Sequence, residues 1–167
     1  SLDPDNPGLH INLGNVYQEV GKLDLAAQCF KTALRLNPDQ AETFGNLGIV
    51  LKQQGRLDEA LEMATRAVQI DPNSALAHNS LGLVYLDKGE LEEANVAFDK
   101  SMALQPDFAD ALNNKGVALK LQGNLQEAIK CHRKAIEINP ENPPARYNLG
   151  LDLLMDRNFA EGMELYN

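Results

Sequence analysis

The sequence predicts an all-α fold, a solenoid of stacked helix–turn–helix units. Three observations predict it. Glycine returns every 34 residues, at Gly14, Gly48, Gly82, Gly116 and Gly150. Between those glycines the apolar residues recur at three- and four-residue steps, the spacing of one helix face. Glycine and proline also punctuate each period at fixed places, so every copy reads as two helices and a stop.

The units run over 7–40, 41–74, 75–108, 109–142 and a partial 143–167, with no insertion or deletion. Residues 1–6, "SLDPDN", match the tail of an earlier unit, since "LDP" corresponds to "IDP" at 70–72. In the second unit Phe44, Leu47, Gly48 and Leu51 form one stripe, which predicts a first helix, helix A. Gly55 follows where helix A must stop, as do Gly21, Gly89 and Gly123, and a left-handed C-terminal residue suits that place. Arg157 breaks this series, so the last turn is expected to differ.

Leu57, Ala60, Leu61, Ala64, Ala67 and Val68 form a second stripe and predict helix B. Asp58 and Glu59 at its start and Arg66 later suit the helix macrodipole. Pro72 ends the helix, because a residue before proline avoids the α region, and Pro4, Pro38, Pro106 and Pro140 share its register. A glycine inside helix A costs ~1 kcal/mol against alanine. Its recurrence, together with the small Ala26, Ala60, Ala94 and Ala128 on helix B, predicts close approach of the two helices. Gly82→Leu should therefore overpack its unit, and alanine should be tolerated better.

Composition narrows the function. The 167 residues are 44% hydrophobic and 23% charged, which argues against disorder. The net charge of -9 opposes nucleic acid and anionic membranes as partners. No run approaches the ~18–20 apolar residues of a membrane span, and no signal-peptide pattern opens the chain. Cys29 and Cys131 show no zinc or disulfide spacing and share one helix-B register three units apart, too far to pair. Reduced thiols point to a cytoplasmic location. No catalytic motif occurs, so an enzyme is not expected, and no cofactor is implied. His10, His78 and His132 lack metal-ligand spacing; His10 and His78 share a helix-A packing register with Phe44 and Leu112. No metal is expected.

The phrase "NLGIVLKQQGRLDEA" at 46–60, a small residue on helix B and a closing proline resemble the tetratricopeptide repeat. The resemblance covers essentially the whole chain, which reads as a single repeat domain over 1–167. It implies a right-handed superhelix with helix A lining a concave groove and helix B facing outward. Lys115 departs from the pattern, standing where other units have Leu13, Leu47, Leu81 and Leu149. That position must be partly open, or the lysine stem must snorkel.

The resemblance also implies which helix-A residues face the groove. The sixth residue of each unit reads Asn12, Asn46, Ser80, Asn114 and Asn148, with Asn15, Asn79 and Asn113 beside them. An amide donates and accepts, so this ladder can bond the main chain of an extended peptide. It resembles the asparagine ladder in the repeat region of O-linked N-acetylglucosamine transferases. The same amides can instead bond the neighbouring repeat. Farther along, Leu83, Val117, Leu121 and Leu151 make the groove apolar. A clamp for acidic chaperone tails is disfavoured, since Leu76 and Ser80 stand where its basic residues belong. The expected partner is therefore a protein or peptide, bound by a non-enzymatic scaffold. Two alternatives stay open: the substrate-recognition region of a larger glycosyltransferase, and a module that self-associates through open repeat ends.

Overall fold

The structure is a computed structural model and describes residues 5–166, without the side chain of Tyr166. The proposed repeat tail at 1–6 lies largely outside the described residues. Among those described, ten helices follow one another and no strand occurs: α1 (Pro7–Glu19), α2 (Leu23–Leu36), α3 (Ala41–Gln53), α4 (Leu57–Ile70), α5 (Ala75–Lys88), α6 (Leu91–Leu104), α7 (Ala109–Leu121), α8 (Leu125–Ile138), α9 (Pro143–Met155) and α10 (Phe159–Tyr166). The odd-numbered helices are the expected A helices and the even-numbered the B helices. Two compact groups result, Ser1–Lys88 and Gly89–Asn167.

The turns behave as glycine chemistry requires. Gly21, Gly55, Gly89 and Gly123 adopt φ of 73°, 75°, 78° and 83°. Each lets helix A close with a tight C-terminal turn; at Gly55 the Arg56 amide donates to the Leu51 carbonyl at 2.9 Å. Arg157 corrects the expectation for the last turn. It takes φ 63° itself, and the Asn158 amide donates to the Leu153 carbonyl at 2.8 Å, so the same turn forms with a side chain in place of glycine. Helix starts are capped where asparagine precedes proline: Asn6 accepts from the Gly8 amide at 2.9 Å and Asn142 from the Ala145 amide at 3.0 Å.

In the first group the core is built from Ala26, Phe30, Leu47, Val50, Leu51, Ala60, Ala64 and Val84. The helix-A glycines explain its density. A Cβ on Gly48 would meet the Ala60 carbonyl at 3.3 Å, so α3 and α4 touch backbone to backbone. A Cβ on Gly14 would instead stand 2.7 Å from the ring of Phe30. The glycine thus serves two purposes, helix contact where helix B offers Ala64 and a seat for a ring where it offers Phe30. In the second group Ala109, Leu112, Ala135 and Ala145 form one cluster and Ile129, Leu149 and Leu153 another. Lys115 snorkels: its stem is largely covered and its ammonium reaches Asp99.

Polar rungs tie each helix pair to the preceding one at a fixed offset. Gln54 Nε2 donates to Asp24 at 2.8 Å, Lys88 Nζ to Asp58 at 2.6 Å and Gln122 Nε2 to Glu92 at 3.3 Å. At the last rung the polarity reverses, and Gln126 Nε2 of the earlier repeat donates to Asp156 of the later one at 2.6 Å.

Candidate functional site

The A helices pack side by side within each group, α1 with α3 and α3 with α5 in the first, α7 with α9 in the second. The fifth, sixth, ninth, twelfth and thirteenth places of a unit fall within about a third of the helix circumference. Ladder residues in the first group are placed unevenly. Asn12 is exposed and Asn15 and Asn46 are half-buried, while Asn79 and Ser80 are buried. Asn46 Nδ2 donates to Asn15 Oδ1 at 3.5 Å, a long bond between neighbouring repeats. Leu83 is half-buried.

The second group repeats the theme with better geometry. Asn148 Nδ2 donates to Asn113 Oδ1 at 2.9 Å, and Asn113 Nδ2 donates to Asn114 Oδ1 at 3.4 Å. Asn113 is buried; Asn114 and Asn148 are half-buried. Val117 and Leu151 are half-buried beside them, and Leu121 is 61% exposed. The amides therefore contact one another across repeats, and the apolar residues flank them. Between α3 and α5 a notch of about 10 Å³ opens at Gly45, Asn46, Ala77 and Ser80, room for about one water.

Charge on these faces is largely neutralised. Lys52 meets Asp87 of the next repeat at 2.9 Å, and Gln18 donates to Gln53 at 3.3 Å. On the turn side, the Lys88 ammonium holds the Asp58 carboxyl below the usual range through its hydrogen bond and its charge. Burial pushes the Cys131 thiol up, the opposite of an activated nucleophile. Cys29 and Cys131 are unpaired thiols. Among the described residues no group of three His, Cys, Asp or Glu is placed to hold a metal ion. No described helix is long and apolar enough to cross a membrane. Wider open depressions of about 650 and 620 Å³ lie away from the helix-A faces, at the α1–α2 turn and along α4.

One buried polar cluster was not anticipated. His132 Nδ1 lies 2.8 Å from Asp152 Oδ2, and neither side chain is exposed. Its signal was in the register. His132 falls where Phe30 and Phe98 stand in other units, and Asp152 where Val16, Val50, Val84 and Ala118 stand. Comparing every column of the repeat, not only the glycine and asparagine columns, would have found it.

Sequence models of the tetratricopeptide repeat match residues 6–73, 39–107 and 109–142. No curated protein sequence matches at a significant level. Among solved structures, that of MamA is similar at 27% identity and a TM-score of 0.72, over 92% of this chain and 90% of that one. A thermophilic tetratricopeptide repeat protein of Thermus thermophilus matches at 22% identity and a TM-score of 0.89, over 96% and 88%. YrrB, described as a repeat protein with an unusual peptide-binding site, matches at 22% identity and a TM-score of 0.64, over 98% and 84%. These likenesses agree with the all-α architecture, and the segments matched by the family models take in well over half of the chain, α1 to α8. The chain belongs to the tetratricopeptide repeat family.

Proposed function

We propose that the chain is a non-enzymatic scaffold whose helix-A faces bind an extended peptide or a helical segment of a partner protein. Tetratricopeptide repeat proteins are in general protein-interaction scaffolds. The observation that supports it is the second group's row of half-buried amides, Asn114 and Asn148, flanked by Val117, Leu121 and Leu151. Asn148 gives one of its amide protons to Asn113, and an amide carries a second N–H and an acceptor oxygen besides. Amides for a main chain beside apolar residues for side chains suit a neutral, partly apolar segment. A ladder of the kind found in O-linked N-acetylglucosamine transferases is part of this proposal.

The test uses a peptide selected from a random library on the immobilised chain and titrated by calorimetry. Replacing Asn46, Asn114 and Asn148 by alanine should weaken it ~10-fold to 1000-fold, at ~0.5–1.5 kcal/mol per hydrogen bond. Leu83→Asp and Leu121→Asp should weaken it too, while Glu137→Ala on helix B should not. A triple variant that binds normally but unfolds more easily makes the ladder a stacking device, as the Asn148–Asn113 bond would allow.

A further inference from the structure

The buried cluster around His132 lies within the second group, where α8 meets α7 and α9. Both ring nitrogens face acceptors. Nδ1 lies 2.8 Å from Asp152 Oδ2 and Nε2 lies 3.2 Å from the Asn113 carbonyl. Lys120 of α7 brings its ammonium to 3.0 Å from Asp152 Oδ1, an ion pair that is not also an aligned hydrogen bond. The ring that satisfies both of its acceptors carries two protons, so the fully bonded state is an imidazolium. A carboxylate with no exposed surface then sits between two cations.

The remaining charges turn elsewhere. From α8 itself Arg133 reaches outward to Glu161 of α10 at 2.5 Å, and Lys130 pairs with Glu127 at 2.6 Å. Lys115 of α7 is taken by Asp99. Asp156 of α9 accepts from Gln126. Lys120 and Asp152 are therefore the charged partners of the ring. In the first group the same junction is apolar, with Phe30 and Val50 in one cluster. Both members of the pair have changed at a single junction, which a packing requirement alone does not call for.

We propose that His132, Asp152 and Lys120 form a proton-operated latch that docks α9 and α10 onto α7 and α8. Loss of the ring proton turns a lone pair toward either the carboxylate or the carbonyl. Protonation of Asp152 leaves two cations without their counter-ion. Either event removes a charge-assisted hydrogen bond in a buried place, where such a loss weighs most. Docking is thus tightest while the ring holds both protons and the carboxylate holds none, and it loosens when either changes. Asn148 and Leu151 ride on α9, so the latch would also gate the last part of the binding face. That consequence rests on the function proposed above; the docking itself does not.

Hydrogen exchange from about pH 5 to pH 9, expressed as protection factors corrected for intrinsic rates, reads the latch directly. Amides of α9 and α10 should lose about ten- to a hundredfold in protection as the imidazole deprotonates, while those of α3 and α4 stay level. The double variant His132→Phe with Asp152→Val restores the residue types of the Phe30–Val50 junction. It should fold, since Phe30 already sits over Gly14 as a ring at 132 would over Gly116, and its protection should not respond to pH. Nitrogen-15 spectra should show both nitrogens of the His132 ring protonated wherever α9 and α10 are fully protected. A level profile in the parent, an unchanged response in the double variant, or a singly protonated ring while protection is full each overturns the latch. Peptide binding that ignores pH while exchange responds would instead count against the binding face.

Discussion

Gly14→Ala and Gly48→Ala are the same substitution at the same register, yet the structure separates them. At Gly48 the new Cβ would meet the Ala60 carbonyl at 3.3 Å and the Ala64 amide at 3.4 Å. These two backbone atoms of α4 must give by a few tenths of an ångström, against which the helix regains ~1 kcal/mol of propensity. At Gly14 the Cβ would stand 2.7, 2.9 and 3.0 Å from three atoms of the Phe30 ring. Moving from 2.7 Å to an ordinary 3.4 Å requires the ring to retreat by about 0.7 Å. Phe30 has no exposed surface and shares its cluster with Leu47 and Val50, so it has nowhere to go. Overpacking of this kind costs ~1–3 kcal/mol. Against the same gain in propensity, Gly14→Ala should come out ~0–2 kcal/mol destabilised, and Gly48→Ala neutral to ~1 kcal/mol stabilised. Urea titration followed by circular dichroism, with the slope checked for constancy, gives both values. The Phe30→Ala background supplies the decisive control, because it makes the first repeat resemble the second, and there the penalty at Gly14 should vanish. A Gly14→Ala protein as stable as Gly48→Ala, or a penalty that survives in the Phe30→Ala background, refutes the ring-seat argument.

Other substitutions test the ends and turns. Arg157→Gly removes a left-handed side chain worth ~1–2 kcal/mol of strain and adds ~0.5–1 kcal/mol of glycine entropy. Its melting temperature should therefore rise, and a fall would mean that the Arg157 side chain has an unrecognised role. Asn142→Ala removes both the cap on Ala145 and the 2.9 Å bond to Asp110. It should cost ~1–2 kcal/mol in chemical denaturation; a cost near zero would show that the cap is dispensable. Glu161 is held below the usual glutamate range by its hydrogen bond to Arg133. A lowered carboxyl contributes stability above its unfolded value and loses it as pH falls through the folded one. Carboxyl carbon-13 titration should place Glu161 below ordinary glutamates, and Arg133→Gln should return it to them; no movement on that substitution would reject the pairing.

The fold was legible because period, punctuation and helical spacing all gave one answer. Gly55 and Pro72 mark stops whose physics is local, so they read directly from the sequence. The snorkelling of Lys115 was readable too, since a long stem on an apolar stripe has few other solutions. The last turn was not. Arg157 breaks a glycine series, but the tertiary packing of α9 and α10 holds it left-handed all the same. The binding face was legible as a column of residues and not as a set of contacts. Asn12 and Asn113 differ greatly in burial, and Asn46 and Asn148 spend part of their bonding on the preceding repeat. Which way an amide turns depends on residues some 31 or 35 positions away, beyond the reach of any local rule. His132 and Asp152 escaped for a related reason, since each looks ordinary until the two are set side by side.

The reversed rung at Gln126 and Asp156 bears on whether the modules are interchangeable. The first three rungs share a grammar in which the earlier repeat supplies a carboxylate and the later one a donor. A shuffled array that set the fifth module behind the first would bring Asp156 against Asp24, two carboxylates where a donor is wanted. Behind the fourth, it finds the amide of Gln126. Each exposed mismatch is worth only about 1 kcal/mol, too little to unfold a repeat but enough to bias which neighbour it accepts. These rungs therefore carry information about sequence order of their own, beside that carried by the differences in the core.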